Sequence, residues 1–172
     1  MATTERTGVV TFKGGPLTVL GPELKVGDKA PDASLLKGLE EVKLSSTGGA
    51  VRLLSVVPSL DTGICDAQTR RFNEEAANLS GVKVFTISMD LPFAQGRFCT
   101  TAGIENLTCL SDHRSAEFGE KYGVLIKELR LHARTIFVIG KDDTIKYIQR
   151  VPEVAQEPNF DEALAAVKSA AA

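Results

Sequence analysis

The apolar positions of this chain gather into a few compact runs between polar breaks marked by glycine and proline. Three runs, VRLLSVV at 51–57, VKVFTISM at 82–89 and RTIFVIG at 134–140, are dense in branched and aromatic residues and barely alternate. Strands buried on both faces read this way. Between the first two the period changes. Ile64, Phe72, Ala76 and Leu79 share one side of a helix over 65–79. Arg70, Arg71, Glu74 and Glu75 fall outside, where residues four apart can pair in solvent. With Gly81 closing the helix, strand, helix and strand predict a right-handed β-α-β unit.

The rest of the chain is more heavily punctuated. VVTFKGGPLTVL, 9–20, sets two β-like runs around a glycine pair and predicts an N-terminal hairpin. Residues 21–50 are rich in turn signals, with ASLLKG and EEVKLSS as short strands between them. Asp90 is placed to cap a short helix, LPFAQGRFC, whose first turn tolerates Pro92. LTCLSD at 107–112 reads as a strand and RSAEFGEKYG at 114–123 as a helix closed by glycine. TIKYIQR at 144–150 completes a hairpin with RTIFVIG, and NFDEALAAVKSA at 159–170 is an amphipathic last helix. Parallel β-α-β order followed by a β-β-α ending predicts one α/β domain over residues 1–172. Its mixed central sheet is flanked by helices, with the hairpin at about 9–20 added in front.

At 172 residues, 43% apolar and 24% charged, the chain can bury a sizeable core and is not disordered in composition. A formal charge of −2 without a basic arm gives no reason to expect nucleic acid or a membrane as partner. MATTERTGVV lacks the pattern of a secretory signal, and no run is long and apolar enough to span a bilayer, so the expected location is cytoplasmic. Neither G-x-G-x-x-G nor a Walker A sequence occurs. The thiols are Cys65, Cys99 and Cys109, an odd number that argues against a purely structural disulfide framework. Without C-x-x-C spacing, a four-ligand zinc site is not expected. No cofactor or metal is therefore anticipated.

The informative thiol is Cys65. PSLDTGIC, 58–65, carries the chain from the first core strand into the helix. A cysteine in the first helical turn meets unpaired backbone N–H groups and the positive end of the helix dipole, and both favour the nucleophilic thiolate. The junction also sits at the carboxyl edge of the strands, a usual place for ligands. Thr62 can cap the helix or donate to a substrate oxygen. Pro58 fixes the strand exit and can shield one side of the sulfur. An inert core cysteine fits the same position. A nucleophile there also suits a thiol–disulfide oxidoreductase or a redox sensor. Against exchange chemistry, Gln68 stands where a C-x-x-C pair would carry its second thiol.

P-x-x-x-T-x-x-C, present as PSLDTGIC, resembles the active-site motif of the peroxiredoxins. The wider context resembles one branch, the bacterial thiol peroxidases, which are atypical two-cysteine peroxiredoxins. VVTFKGGPLTVLG is similar to their N-terminal hairpin and SVVPSLDTGICDAQTRRFNEEA to their strand, active loop and helix. FTISMDLPFAQGRFC is similar to the segment bearing their second cysteine, and LHARTIFVIGKDDTIKYIQRVPEVAQEPNFDEAL to their C-terminal third. The resemblance implies a thioredoxin-like fold with an added hairpin and a homodimer. It implies an enzyme that reduces hydrogen peroxide and organic hydroperoxides and is recycled by thioredoxin or a similar dithiol. By position, Cys65 would be the peroxidatic cysteine, Cys99 the resolving cysteine, Thr62 the hydroxyl partner, Pro58 the shield and Arg134 the active-site guanidinium. Cys109 departs from a two-cysteine count and reads as a small side chain on a buried strand. His113 reads as a turn residue, and His132 as a residue of the site's rim.

The chemistry suits these residue types. A thiolate attacking a peroxide becomes a sulfenic acid, and the departing oxygen gathers charge that donors must meet. A guanidinium supplies several fixed donors and stays charged. Backbone N–H groups at Gly63, Ile64 and Cys65 add more. Arg134 opens the third core strand, so it reaches Cys65 only if that strand end lies beside the helix start. Leu60, Ile64 and Phe93 would supply apolar surface for an organic hydroperoxide. A disulfide needs Cα atoms within roughly 7 Å. A thiol that begins inside a helix therefore requires local unwinding.

Overall fold

A computed structural model describes residues 3–172. In chain order it contains β1 (Glu5–Phe12), β2 (Gly15–Leu20), β3 (Ser34–Lys37), β4 (Glu40–Lys43), β5 (Val51–Val56), α1 (Gly63–Ala76), β6 (Val82–Ser88) and α2 (Pro92–Ala102). There follow β7 (Thr108–Ser111), α3 (Glu117–Lys121), β8 (Leu125–Ile126), β9 (Leu131–His132), β10 (Thr135–Ile139), β11 (Ile145–Arg150) and α4 (Phe160–Ala171). The main sheet has the order β11-β10-β5-β6-β7-β3-β4. β5, β6 and β7 run parallel, and the flanking pairs are antiparallel. This is a mixed sheet with flanking helices, the thioredoxin-like α/β arrangement.

Every residue of β5 is buried, as a central strand requires. Val51 and Leu53 face a cluster with Phe72 of α1, Phe98 and Cys99 of α2, and Leu164 of α4. Leu54 and Val56 face the other cluster, with Phe118 and Tyr122. Phe72 meets Phe160 edge-on with ring centroids 5.3 Å apart. Its full burial is worth roughly 2–3 kcal/mol. On the outer face of α1, Arg71 pairs with Glu75 at 3.1 Å, as the four-residue spacing predicts, but Arg70 pairs backwards with Asp66 rather than with Glu74.

Two predicted helix boundaries differ. Asp90 does not cap α2; the N-cap is Leu91, which makes no side-chain cap bond. The carboxylate of Asp90 has stronger claims on it, described below. α3 is shorter than 114–123 because Ala116 adopts a left-handed conformation (φ 57°) and Asp112 accepts from the N–H groups of Phe118 and Gly119.

The hairpin β1–β2 does not stand alone. It continues into β8 and β9 as a second, four-stranded sheet. Val10 and Val19 pack with Ile126, Ala133 and Val154. Glu153 fastens the hairpin: it accepts from the Thr11 hydroxyl at 2.6 Å and from Lys13 N–H at 2.9 Å. Thr11 and Val154 also exchange backbone bonds with this segment, Thr11 N–H to Pro152 O and Val154 N–H to Thr11 O. The hairpin thereby immobilises the Val154 carbonyl, which matters at the site.

The hydroxyl of Thr11, followed by the Lys13 N–H, depresses the Glu153 carboxyl from 4.5 to about 2. A depressed carboxylate contributes stability above its ordinary value and loses it as pH falls through the depressed one. Glu153→Gln should therefore melt below wild type at pH 7, and that gap should close between about pH 4.5 and 2. Thermal unfolding of both proteins across this range checks it. The residue is only half-buried and solvent screens its carboxylate, so the expected gap is small.

Candidate active site

Register brings the site together. β10 runs antiparallel to β5 with Thr135 opposite Val56, so the start of β10 lies beside the end of β5. Arg134 precedes β10, and the loop of residues 57–62 follows β5 into α1. Cys65 lies in the first turn of α1, near the helix end that carries unsatisfied N–H groups. The two residues meet there. Arg134 Nη2 lies 3.4 Å from Cys65 Sγ, and both side chains are buried.

The guanidinium is held on several sides. Nη1 donates to Gln68 Oε1 at 2.7 Å, and Nη2 also donates to the Val154 carbonyl at 3.0 Å. Gln68 is itself fixed, because its Nε2 donates to Ser55 Oγ at 2.7 Å. None of these partners is a carboxylate, so the positive charge is left uncompensated beside the sulfur. Nε–H has no acceptor among the described residues, a costly state for a buried donor. Ser55, Gln68, Arg134 and Cys65 thus form one chain from the central strand to the thiol.

Gln68 went unread as a site residue. The signal was present: Cys65, Gln68, Thr69 and Phe72 fall at helical positions i, i+3, i+4 and i+7 and all are buried. A glutamine on that face must find partners, and its reach ends at Arg134.

Pro58 is buried at the strand exit, whereas Thr62 is exposed. Thr62 is the N-cap of α1, but its side chain does not cap. Its hydroxyl donates to the Ser59 carbonyl at 3.0 Å and tightens the loop. Asp90 closes the loop from below. It accepts from Ser59 Oγ at 2.7 Å, from Leu60 N–H at 2.8 Å and from Ser88 Oγ at 2.7 Å. Those three donors explain why Asp90 is unavailable to cap α2. The apolar trio divides: Leu60 is buried in the cluster that holds Cys65, Ile64 is half-buried, and Phe93 is 70% exposed.

Cys99 and Cys109 share the apolar cluster of Cys65. Cys99 lies within α2, half-buried, so both it and Cys65 begin inside helices. Its Sγ is 3.2 Å from the Sγ of Cys109, on β7. The hydrogen bond between the two sulfurs draws the Cys99 thiol below its ordinary value, while the same bond, followed by burial, pushes Cys109 up. Cys109 was expected to be a small buried side chain, and its sulfur–sulfur contact was not foreseen. His132 is not at a rim. It is fully buried, with Nε2 3.1 Å from Asp112 Oδ2 and its ring edge-on to Phe118. His113 is exposed in a turn. No group of three potential ligands among the described residues is placed to hold a metal ion. No helix of the described residues is long and apolar enough to cross a membrane.

Residues 25–164 match the family model described as Redoxin. The chain is 57% identical over 162 residues to a thiol peroxidase of Halalkalibacterium halodurans, covering 94% of this chain and 98% of that protein. It is 53% identical over 161 residues to a thiol peroxidase of Bacillus subtilis, covering 93% and 96%. Among solved structures it superimposes on a peroxiredoxin-like protein from Aquifex aeolicus with a TM-score of 0.88 and 45% identity, covering 98% of this chain and 99% of that one.

Proposed function

Since this chain belongs to the Redoxin family and is a thiol-dependent peroxidase of the peroxiredoxin type, we propose that Cys65 is its peroxidatic cysteine and Cys99 its resolving cysteine. The observation that carries this reading is the contact of Arg134 Nη2 with Cys65 Sγ, with the guanidinium locked by Gln68 and Val154. The Cys65 thiolate attacks one oxygen of a hydroperoxide, the O–O bond breaks, and a sulfenic acid forms. Arg134 and the N-terminal N–H groups of α1 face the charge that passes to the departing oxygen, which leaves as water or an alcohol. Pro58 walls the strand side of the sulfur. Thr62, tied to Ser59, sets the shape of the loop and offers its oxygen to the peroxide. Cys99 then attacks the sulfenic sulfur, water leaves, and a Cys65–Cys99 disulfide forms.

That bond needs both helices to open locally. α2 is suited to it: Gly96 interrupts its middle, and Thr100 and Thr101 are weak helix formers. A dithiol then reduces the disulfide through a mixed disulfide. We assign this role to thioredoxin or a close analogue, which also favours a cytoplasmic location, where such reductants keep thiols reduced. Hydrogen peroxide and organic hydroperoxides are the proposed substrates, and a homodimer the proposed assembly. A thiol–disulfide oxidoreductase is disfavoured because the position for its second thiol is Gln68, already committed to Arg134 and Ser55.

Cys99→Ser tests the resolving step. The variant should consume one equivalent of peroxide and gain one oxygen at Cys65, seen by intact mass and peptide mapping. Sustained turnover with a dithiol, or a dominant Cys65–Cys109 bridge, would remove Cys99 from its role.

A further inference from the structure

Resolution at Cys99 leaves a third thiol in contact with the reaction. Cys109 Sγ lies 3.2 Å from Cys99 Sγ, while a disulfide holds its sulfurs at about 2.05 Å. Little movement separates this contact from a bond. Cys109 sits on a strand paired in register with β6, Thr86 opposite Cys109, so it stays fixed while α2 moves. We infer that the oxidising equivalent captured at Cys65 is passed on to a Cys99–Cys109 disulfide, which frees Cys65 to meet a second peroxide. The inference rests on the assignment of Cys65 and Cys99 above.

The step is a thiol–disulfide exchange. The Cys109 sulfur gives its proton to water and attacks Cys99 Sγ of the Cys65–Cys99 disulfide. The Cys99–Cys109 bond forms, the Cys65–Cys99 bond breaks, and Cys65 leaves as a thiolate. One disulfide is consumed and one is made, so no further oxidant or reductant enters.

Three features drive the exchange forward. The Cys65–Cys99 bond holds α1 and α2 open, whereas a Cys99–Cys109 bond is compatible with both helices closed. Refolding of the two helices therefore favours the second disulfide. The departing Cys65 sulfur returns to a helix N-terminus beside Arg134, a site built for negative charge. The contact with the Cys99 thiol, followed by burial, holds the proton on Cys109, and the first of these restraints ends once Cys99 is in a disulfide. The product is also better exposed to a reductant. Cys65 is fully buried, but a groove of about 560 Å³, lined by Pro92, Gln95, Ile104 and Leu107, opens over both Cys99 and Cys109.

The experiment treats the reduced full-length chain with one equivalent of peroxide, quenches with an alkylating agent at increasing times, and maps the peptides. Wild type should show a Cys65–Cys99 bridge that gives way to Cys99–Cys109 with Cys65 alkylated. Without reductant it should consume two equivalents of peroxide per chain, while Cys109→Ser should consume one and retain Cys65–Cys99. Cys65→Ser should not form Cys99–Cys109 on the same timescale. A Cys65–Cys99 bridge that persists as the sole product in wild type would overturn the relay and leave the peroxidatic cycle standing. Rapid Cys99–Cys109 formation in Cys65→Ser would also overturn it. Absence of Cys65–Cys99 from Cys109→Ser would instead strike the resolving assignment on which it rests.

Discussion

Cys65→Ser should abolish dithiol-dependent peroxide consumption, lowering it by on the order of 10⁴-fold or more, because the atom that attacks the O–O bond is removed. Serine nearly matches cysteine in shape, so loss of activity is not expected to reflect loss of fold. The new hydroxyl would sit in a fully buried place. An unpaired hydroxyl there costs about 1–3 kcal/mol, but Arg134 Nη2, already 3.4 Å from the sulfur, can donate to it. Circular dichroism and melting should therefore stay close to wild type while a steady-state peroxide assay falls to background. Turnover surviving in a folded Cys65→Ser protein would move the nucleophile elsewhere.

Arg134→Lys should slow oxidation of Cys65 by about 10²–10³-fold, the usual cost of removing one preorganised donor from developing charge. Charge is conserved in this change, so the loss would come from geometry. One guanidinium reaches Gln68, Val154 and Cys65 at once, and a single ammonium on a flexible stem cannot hold the same fork. Stopped-flow measurement of the second-order rate with peroxide separates this step from resolution and recycling. Gln68→Met, which keeps the bulk but drops the amide, should fall between wild type and Arg134→Lys, since it loosens the guanidinium without removing it. An Arg134→Lys protein that reacts at the wild-type rate would end the case for a guanidinium at the sulfur.

Much of the frame was readable from the order of residues. The three apolar runs became β5, β6 and β10, because a strand buried on both faces needs continuous apolar sequence. The change to a helical period after Pro58 located α1, and the break between strand and helix singled out Cys65. What escaped was short or shared. β8 and β9 have two residues each, too few to carry a period, yet they turn the N-terminal hairpin into a four-stranded sheet. Asp90 looks like a cap in one dimension, but three donors from two segments claim it. His132 looks like a neighbour of the site because it lies two residues from Arg134. Residues two apart in one strand would share a face, but β9 ends at His132 and β10 starts at Thr135 in the other sheet, so the break between them leaves His132 against Asp112 instead.

By itself the sequence determined where the core strands and the main helices lie, which thiol opens a helix, and the candidate set of Cys65, Cys99, Thr62, Pro58 and Arg134. The elements are written in periodicity and Pro58, Thr62 and Cys65 in a local motif, while Cys99 and Arg134 enter the set through the resemblance to the thiol peroxidases. The tertiary structure decided which of them touch. Arg134 meets Cys65 because antiparallel register sets Thr135 opposite Val56, and Gln68 joins them because its helix face turns toward Ser55 of the same strand. Cys109 meets Cys99 because α2 packs across β7. Contacts between residues far apart in the chain depend on strand register and helix packing, and the free energy that sets those is spread over the whole core rather than held in any local run.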